Sequence, residues 1–233
     1  MRALTQAELL ALWEAGRPLG PLDRGVLAAR AASPGTENAA DWPIGRRNRA
    51  LAQLQCAAFG GVLRGWTGCR GCGEQLEFAF DGHSVAEAEE PAERRVVTVG
   101  KWLFRLPTSS DLAVAFAEKN EPAATRQLLN ACWAGPESAG ADWSEEDLQA
   151  IEERLAEADP LAEIRLHFDC PNCSASFDET LDLGDFVWAE IEREARRILQ
   201  DVHLLASAYG WSESEILSLG PARRSVYLEM VLA

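Results

Sequence analysis

The sequence predicts an α+β protein that is mostly helical, with a small β-sheet at its centre. Three observations support this prediction. Apolar residues recur at helical spacing toward both ends of the chain, two Cys-x-x-Cys pairs lie about a hundred residues apart, and short alternating segments flank those pairs. The 233 residues are 47% hydrophobic and 25% charged, which is an ordinary globular balance and enough to bury a core.

The N-terminal segment, residues 1–63, is predicted to be helical. A capping-box pattern precedes a helix over 6–15, which Gly16 closes. A second helix is expected over about 46–59, before two consecutive glycines. The intervening segment 30–43 is rich in Ser, Pro, Gly and Asn, so we expect it to be a loop.

The central segment, residues 64–184, contains both cysteine pairs and a long insertion between them. Within the insertion, residues 95–160, an apolar alternating stretch predicts a β-hairpin that turns at Gly100. Helix-capping patterns then predict three short helices, which begin near Thr108, Pro122 and Ser144. The insertion is therefore expected to be a small helical module standing on the sheet.

The C-terminal segment, residues 185–233, is predicted to be helical throughout. An amphipathic pattern runs over about 185–208, and Gly210 is expected to stop that helix. Ser212 carries a capping-box pattern for a short helix, and Pro221 is placed to start the last one.

The two cysteine pairs predict a structural metal site. In a chain without a secretory signal, paired Cys-x-x-Cys units favour a metal over disulfides. Two intervening residues let both sulfurs of a pair face one ion, and four thiolates complete the tetrahedral coordination that zinc prefers. The strand-like flanks are residues 74–80, 163–168 and 177–183. The sequence thus predicts a zinc ribbon with knuckles at 69–72 and 170–173, whose Zn²⁺ ligands are Cys69, Cys72, Cys170 and Cys173.

Other interpretations of these pairs compete with a shared zinc site. Two unrelated reduced pairs are the main alternative. A thioredoxin-like redox pair requires one Cys-x-x-Cys at a strand-to-helix step, whereas here each of two pairs has strand-like flanks. A nucleobase deaminase requires a proline before its Cys-x-x-Cys, whereas the second pair reads CPNC and Cys69 would have no role. His167 could replace a failing cysteine, although a position on a strand face fits it better.

The rest of the sequence gives no sign of catalysis. Cys56 and Cys132 lie on apolar helical faces, where cysteine behaves as a small core residue. The chain has no glycine-rich phosphate loop, no G-x-S-x-G motif and no H-E-x-x-H motif. We therefore expect a protein that is not an enzyme and has no small-molecule substrate.

Charge and hydropathy narrow the range of partners. The net charge of −15 disfavours nucleic acid, because a phosphate backbone is bound by clustered Lys and Arg. No apolar run approaches the ~20 residues of a membrane span, and the N-terminus lacks a signal-peptide pattern. The expected location is the cytoplasm.

Three stretches of the chain resemble the T4-type baseplate family of contractile phage tails and bacterial contractile injection systems. They read PIGRRNRALAQLQCAAFGGVLRGWTGCRGCGEQLEF, FRLPTSSDLAVA, and HFDCPNCSASFDETLDLGDFVWAEIEREARRILQDVHLLASAYGWSESEILSLGPARRSVYLEMV. The resemblance implies a non-catalytic structural or assembly protein whose partners are other baseplate, hub or spike proteins. It would act in the cytoplasm of the producing bacterium, with incorporation into the virion or injection particle left open. A generic zinc-ribbon adaptor of another cytoplasmic complex is the alternative.

The end of the chain, residues 209–233, is predicted to contact a partner. Its helices are short and would be marginal alone. It also concentrates aromatic and arginine residues, the types that dominate interface energetics. The candidate partner-binding residues are Trp211, Arg223, Arg224 and Tyr227. Two outcomes are open: these residues pack on the helix of 185–208, or they dock a partner. Both can also hold together, with the apolar face inward and the arginines outward.

Overall fold

The computed structural model describes residues 3–35, 38–89, 96–135 and 143–232. Its helices are α1 (Gln6–Gly16), α2 (Pro21–Ala32), α3 (Ile44–Ala58), α4 (His83–Ala86), α5 (Ser109–Ala115), α6 (Glu121–Cys132), α7 (Glu145–Ala158), α8 (Leu183–Tyr209), α9 (Glu213–Ser218) and α10 (Pro221–Leu232). Its strands are β1 (Val62–Gly68), β2 (Gln75–Asp81), β3 (Val96–Val99), β4 (Trp102–Arg105), β5 (Arg165–Asp169) and β6 (Ser176–Thr180). With 57% helix and small antiparallel sheets, the predicted α+β, mostly helical class is confirmed.

The strands of the described residues form three separate antiparallel hairpins, β1-β2, β3-β4 and β5-β6. The single small ribbon sheet expected from the sequence is therefore not found in these residues. The physical reason is local: each Cys-x-x-Cys unit is the turn of its own hairpin, so each strand pairs with its neighbour along the chain. The two cysteine hairpins meet through their turns, as described below.

The capping patterns place the helix boundaries well. Thr5, Thr108, Ser144 and Ser212 each form a reciprocal capping box with the residue three positions on. Gly210 ends α8 in the left-handed conformation, with φ of +69°, and Pro221 begins α10. Gly100, at φ of +57°, turns the β3-β4 hairpin as expected.

Helix α2 is the main element that the sequence analysis missed. The predicted loop over 30–43 is wrong at its start, because α2 extends to Ala32, and a short 3₁₀ turn follows at Ala39–Asp41. The helical pattern is masked by Gly25, which is a poor helix former. Tertiary packing outweighs that local preference, because Ala28, Ala29 and Ala32 of α2 are buried in the core beside α8. The glycine itself is not required by space, since a β-carbon on Gly25 would lie in ordinary van der Waals contact, 3.5 Å from the α-carbon of Gly184.

The helical segments at the two ends of the chain pack into one core. Buried apolar residues of α1, α2 and α3 surround the buried face of α8, which includes Val187, Ile191 and Ile198. The inner faces of the first and third hairpins complete this core through Leu63 and partly buried Leu166. The inner faces of both cysteine hairpins therefore pack on helices from the two ends of the chain.

The insertion has a second core of its own. Phe104 of β4 is fully buried and contacts the rings of Trp133 and Trp143, with centroids 5.5 and 6.0 Å away. Ile151 of α7 and Cys132 of α6 are also fully buried there. The β3-β4 hairpin, α6 and α7 thus form a packed unit between the two cysteine pairs.

The insertion is attached to the start of α3 rather than standing on the cysteine hairpins. Pro43 at the N-cap of α3 offers no side-chain cap, and Asp159 supplies one instead: its Oδ2 accepts from the Gly45 N–H at 2.9 Å. Asn48 donates to the Leu161 carbonyl at 2.8 Å, and Arg47 donates to Ser109 Oγ at 3.1 Å. An acceptor 114 residues away therefore satisfies an orphan donor of α3.

This arrangement makes a pH-dependent prediction for Asp159. Burial raises the pKa of its carboxyl, and the hydrogen bond from Gly45 only partly opposes that effect. The folded chain then holds this proton more tightly than the unfolded chain. Asp159 therefore contributes fully to stability when the pH is below the pKa that its carboxyl has in the unfolded chain. This contribution is lost as the pH rises through the higher pKa of the carboxyl in the folded chain.

The Asp159→Asn variant stays neutral and keeps an oxygen for the Gly45 N–H. We expect it to be more stable than the wild type at pH 8, with the difference shrinking toward pH 4, in chemical denaturation at each pH. Asp159→Ala is the control, because it also removes the titrating carboxyl but leaves the Gly45 N–H without its acceptor. It should therefore be about 1–2 kcal/mol less stable than Asp159→Asn at every pH. An unchanged pH profile for Asp159→Asn would refute the prediction.

Candidate metal centre

The first Cys-x-x-Cys unit forms the turn of the β1-β2 hairpin. The strands pair from Val62 opposite Asp81 to Gly68 opposite Gln75, so the ladder ends one residue before Cys69. The Cys69 N–H then donates to the Glu74 carbonyl at 2.8 Å, and the Gly73 N–H donates to the Cys69 carbonyl at 2.8 Å. The Gly71 N–H points at Cys69 Sγ, 3.4 Å away.

The second unit repeats this geometry at the turn of the β5-β6 hairpin. The Cys170 N–H donates to the Ala175 carbonyl at 2.9 Å, and the Ser174 N–H donates to the Cys170 carbonyl at 2.9 Å. Gly73 and Ser174 occupy equivalent positions directly after the second cysteine, and both have left-handed backbone, with φ of +77° and +58°. Two turns of the same design thus present their sulfurs in the same way.

The structure brings the four predicted cysteines together. Cys69 and Cys173 have their Sγ atoms 3.6 Å apart, and those of Cys72 and Cys170 are 3.7 Å apart. All four sulfurs lie within 4.8 Å of one another, which makes the cluster a possible metal site. Residues separated by about a hundred positions therefore converge on one point.

The cluster is half covered by protein. Cys69 and Cys170, the first cysteine of each turn, are 4% and 2% exposed, whereas Cys72 and Cys173 are exposed. Hydrogen bonds from the backbone N–H groups of Cys72 and Gly71 lower the pKa of Cys69 to about 7. Thiolate is the form of cysteine that binds metals, so these turns favour the binding form at one ligand before any ion enters.

The ionisation of one thiol opposes that of its neighbours. The backbone N–H of Ala175 lowers the pKa of Cys173, but contacts with the thiols of Cys72 and Cys69, together with burial, outweigh it and raise that pKa to about 12. Four thiols this close cannot all ionise without a positive charge between them. The cluster therefore has the electrostatics of a cation site.

Contacts beside the sulfurs also join the two hairpins. The Phe78 ring of β2 meets the Phe168 ring of β5 edge to face, with centroids 5.7 Å apart. Arg70 in the first turn makes an ion pair with Glu179 of β6 at 2.9 Å. Because the Arg70 side chain is 67% exposed, such a pair contributes only about 0–1 kcal/mol. Asn172 Nδ2 donates to Cys72 Sγ at 3.5 Å.

These three contacts were not found from the sequence. Arg70 and Asn172 are the residues between the cysteines of their own turns, and only the juxtaposition of the turns gives them partners. The alternation in 74–80 and 163–168 did place Phe78 and Phe168 on inner faces, which was the available signal.

The other candidate ligands lie outside the cluster. His167 sits on the exposed face of β5, where its Nδ1 hydrogen-bonds Asp178 Oδ1 at 2.7 Å across the hairpin. That bond raises the pKa of the histidine. Cys132 is fully buried in the second core, and burial raises its pKa to about 12, while burial also raises the pKa of partly buried Cys56. Both cysteines are therefore poor ligands and poor nucleophiles.

The left-handed residue after each second cysteine yields a testable prediction. A β-carbon at Gly73 meets open space, so Gly73→Ala introduces only backbone strain, of about 1–2 kcal/mol. Gly68→Ala is the matched control, because that site is equally open but has no positive φ. Thermal unfolding should show a lower melting temperature for Gly73→Ala than for Gly68→Ala. Equal melting temperatures of the two variants would contradict the conclusion that the left-handed backbone at Gly73 requires glycine.

The candidate partner residues near the C-terminus divide into two groups. Trp211 stacks on Tyr209 at 4.7 Å, and Tyr227 of α10 meets Trp211 edge to face at 4.9 Å. Arg223 is exposed, but Arg224 is only 3% exposed and donates to the Leu219 carbonyl at 3.0 Å. The expectation that both arginines face outward is therefore wrong for Arg224. Arg224 lies on the side of α10 that faces α8. There the carboxyl of Asp201 is close enough to affect the pKa of Arg224.

Comparisons with known proteins add no family assignment. No protein-family model, curated protein or solved structure matches this chain. Within the described residues, no helix combines the length and apolar character that crossing a bilayer requires.

Proposed function

We propose that the four cysteines bind one structural Zn²⁺ ion. Zinc bonds to thiolate sulfur at about 2.3 Å, and a tetrahedron of that size has its sulfurs about 3.8 Å apart. Two of the sulfur–sulfur separations in the structure, 3.6 and 3.7 Å, fit this value, and all four sulfurs lie within 4.8 Å of one another. A disulfide would require about 2.05 Å. The donor set, four soft sulfurs with no oxygen or nitrogen, also suits zinc.

The proposed role of the ion is to fasten the two halves of the chain. Its ligands come from two turns that are separated by 98 residues between Cys72 and Cys170. Because the unfolded chain has no such site, metal binding contributes directly to folding. Four thiolates leave no open coordination position for water or substrate, which supports a site without catalysis.

We further propose that the chain is a structural or assembly protein of a contractile phage tail or injection-system baseplate. The proposal that the protein is not a catalyst rests on one observation: four cysteine sulfurs are clustered, and together they would fill the coordination sphere of one ion. The contractile-tail part rests on the resemblance of residues 43–78, 104–115 and 167–231 to the T4-type baseplate family. The metal then serves to hold a scaffold in the shape that its partners bind.

A genetic experiment tests the assembly role. Deletion of the gene in a bacterium that produces the contractile particle should abolish sheathed particles in electron micrographs of lysates. The wild-type gene should restore them, and the Cys170→Ser variant should not. Normal particle numbers without the gene would refute the role, whereas restoration by Cys170→Ser would refute only its dependence on the metal.

The proposed partner contact lies around α10. Trp211, Tyr227 and Arg223 remain the candidates, beside Met230, whose side chain is exposed. Arg223→Glu should weaken co-purification with baseplate, hub or spike proteins at least tenfold and leave the melting temperature unchanged, because Arg223 is exposed. Arg126→Glu, an equal charge change at an exposed position of α6, is the control. Equal binding by both variants would exclude Arg223 from the contact.

A further inference from the structure

Within the cluster of four sulfurs, two contacts between the turns each join an exposed cysteine to a buried one. Exposed Cys72 of the first turn contacts buried Cys170 of the second, at 3.7 Å between sulfurs. Exposed Cys173 of the second turn contacts buried Cys69 of the first, at 3.6 Å. Each of these crossed pairs therefore combines one exposed cysteine with one buried cysteine.

We propose that the centre is a thiol redox site at which hydrogen peroxide forms two crossed disulfides, Cys72–Cys170 and Cys69–Cys173, and releases the metal. The inference rests on the proposed metal site, and is independent of the contractile-tail role. The proposed oxidation goes beyond a purely structural role of the metal site.

The exposed sulfurs determine where the reaction starts. Peroxide transfers one oxygen to the thiolate of Cys72, which becomes a sulfenic acid, while the second peroxide oxygen leaves as water after taking up a proton. The Cys170 thiolate then attacks that sulfur to form the S–S bond, and the sulfenic oxygen leaves as a second water with another proton. Each disulfide thus consumes two thiolates, one peroxide and two protons, and yields two waters.

The buried sulfurs determine which bond forms. Once Cys72 is oxidised, the Cys170 sulfur is held against it by the turn hydrogen bonds of its own hairpin. The same holds for Cys173 and buried Cys69. A resolving thiol in contact is what diverts a sulfenic acid to a disulfide before it is oxidised further.

The crossed pattern has a structural consequence. Disulfides within each Cys-x-x-Cys unit would leave the two hairpins without a covalent link when the metal departs. The crossed disulfides instead close loops of 98 and 104 residues and hold the hairpins together. The oxidised chain would therefore keep its fold without metal, and reduction would restore the metal site.

Cys56 and Cys132 are internal controls for the oxidation, because they are cysteines of the same chain that lie outside the cluster. Burial raises the pKa of both thiols, so they should remain reduced while the centre reacts. A count of free thiols should accordingly fall from six to two, since the chain has six cysteines and four belong to the centre.

The test uses the full chain loaded with zinc, whose metal content is measured first. Hydrogen peroxide is then added stepwise, released zinc is followed with a colorimetric chelator, and disulfides are mapped by mass spectrometry after alkylation and non-reducing digestion. The expected result is one zinc released per two disulfides, the crossed pairing, and reversal by dithiothreitol with added zinc. Disulfides within the Cys-x-x-Cys units, disulfides between chains, or sulfinic acids at Cys72 and Cys173 would overturn the proposal.

Failure of the metal proposal can be told apart from failure of this one. A reduced chain that binds no zinc refutes the metal site, and mapping of that same chain after peroxide still tests the crossed pairing. The double variant Cys69→Ser/Cys173→Ser retains only Cys72 and Cys170 in the centre. It should form their disulfide, whereas Cys170→Ser/Cys173→Ser, which retains one Cys-x-x-Cys unit, should form none at the same peroxide concentration.

Discussion

Replacement of Cys170 by serine should abolish stoichiometric zinc binding and lower the melting temperature by roughly 10 °C or more. Structural zinc contributes about 10–16 kcal/mol in zinc-finger peptides, which equals or exceeds the ~5–15 kcal/mol stability of an ordinary domain. Loss of even about 5 kcal/mol in a chain of this length corresponds to a shift of about 10–20 °C. Metal analysis and differential scanning calorimetry measure the two effects.

The matched control for this variant is Cys56→Ser. Cys56 is a partly buried cysteine of α3 that lies outside the cluster. This change should leave one zinc per chain and cost far less stability. A Cys170→Ser chain that loses zinc but melts at the wild-type temperature would contradict the structural role of the metal.

Phe104→Ala should produce the second large effect. Phe104 is 0% exposed and packs against the rings of both Trp133 and Trp143, so its removal leaves a cavity in the second core. Changes of this kind cost about 3–5 kcal/mol. We expect limited proteolysis to cleave the insertion first, while zinc content stays at one per chain, because the cysteine hairpins belong to the other core.

Phe116→Ala provides the comparison for that experiment. Phe116, which follows α5 in the same insertion, is 70% exposed, so its removal should change stability by less than about 0.5 kcal/mol. Loss of zinc from Phe104→Ala in parallel with its unfolding would show that the two cores unfold as one unit and would refute the separation argued here.

Local signals made most helices and three of the four strands beside the cysteine pairs predictable, whereas β1 (Val62–Gly68) was not predicted. A capping box is recognised from four consecutive residues, so Ser144 and Ser212 could be assigned as helix starts without knowledge of the fold. The turn hydrogen bonds of a Cys-x-x-Cys unit are equally local, which is why the convergence of four sulfurs could be expected from two short motifs.

The features that escaped prediction depend on distant residues. Gly25 argues against α2 on helix propensity, and the burial of α2 against α8 outweighs that preference. Asp159 lies just after the end of α7, and nothing near it in sequence shows that it caps α3. The side of α10 that Arg224 occupies depends on how α9 positions that helix against α8, so its burial could not be read from the residue type.

The most direct test of the central claim is zinc K-edge X-ray absorption spectroscopy on the purified chain, combined with metal analysis. The proposal predicts one zinc per chain, with four sulfur ligands at about 2.3 Å and no oxygen or nitrogen ligand. A first shell containing oxygen or nitrogen, fewer than four sulfurs, or two metal ions per chain would contradict a site in which the two turns jointly enclose one ion.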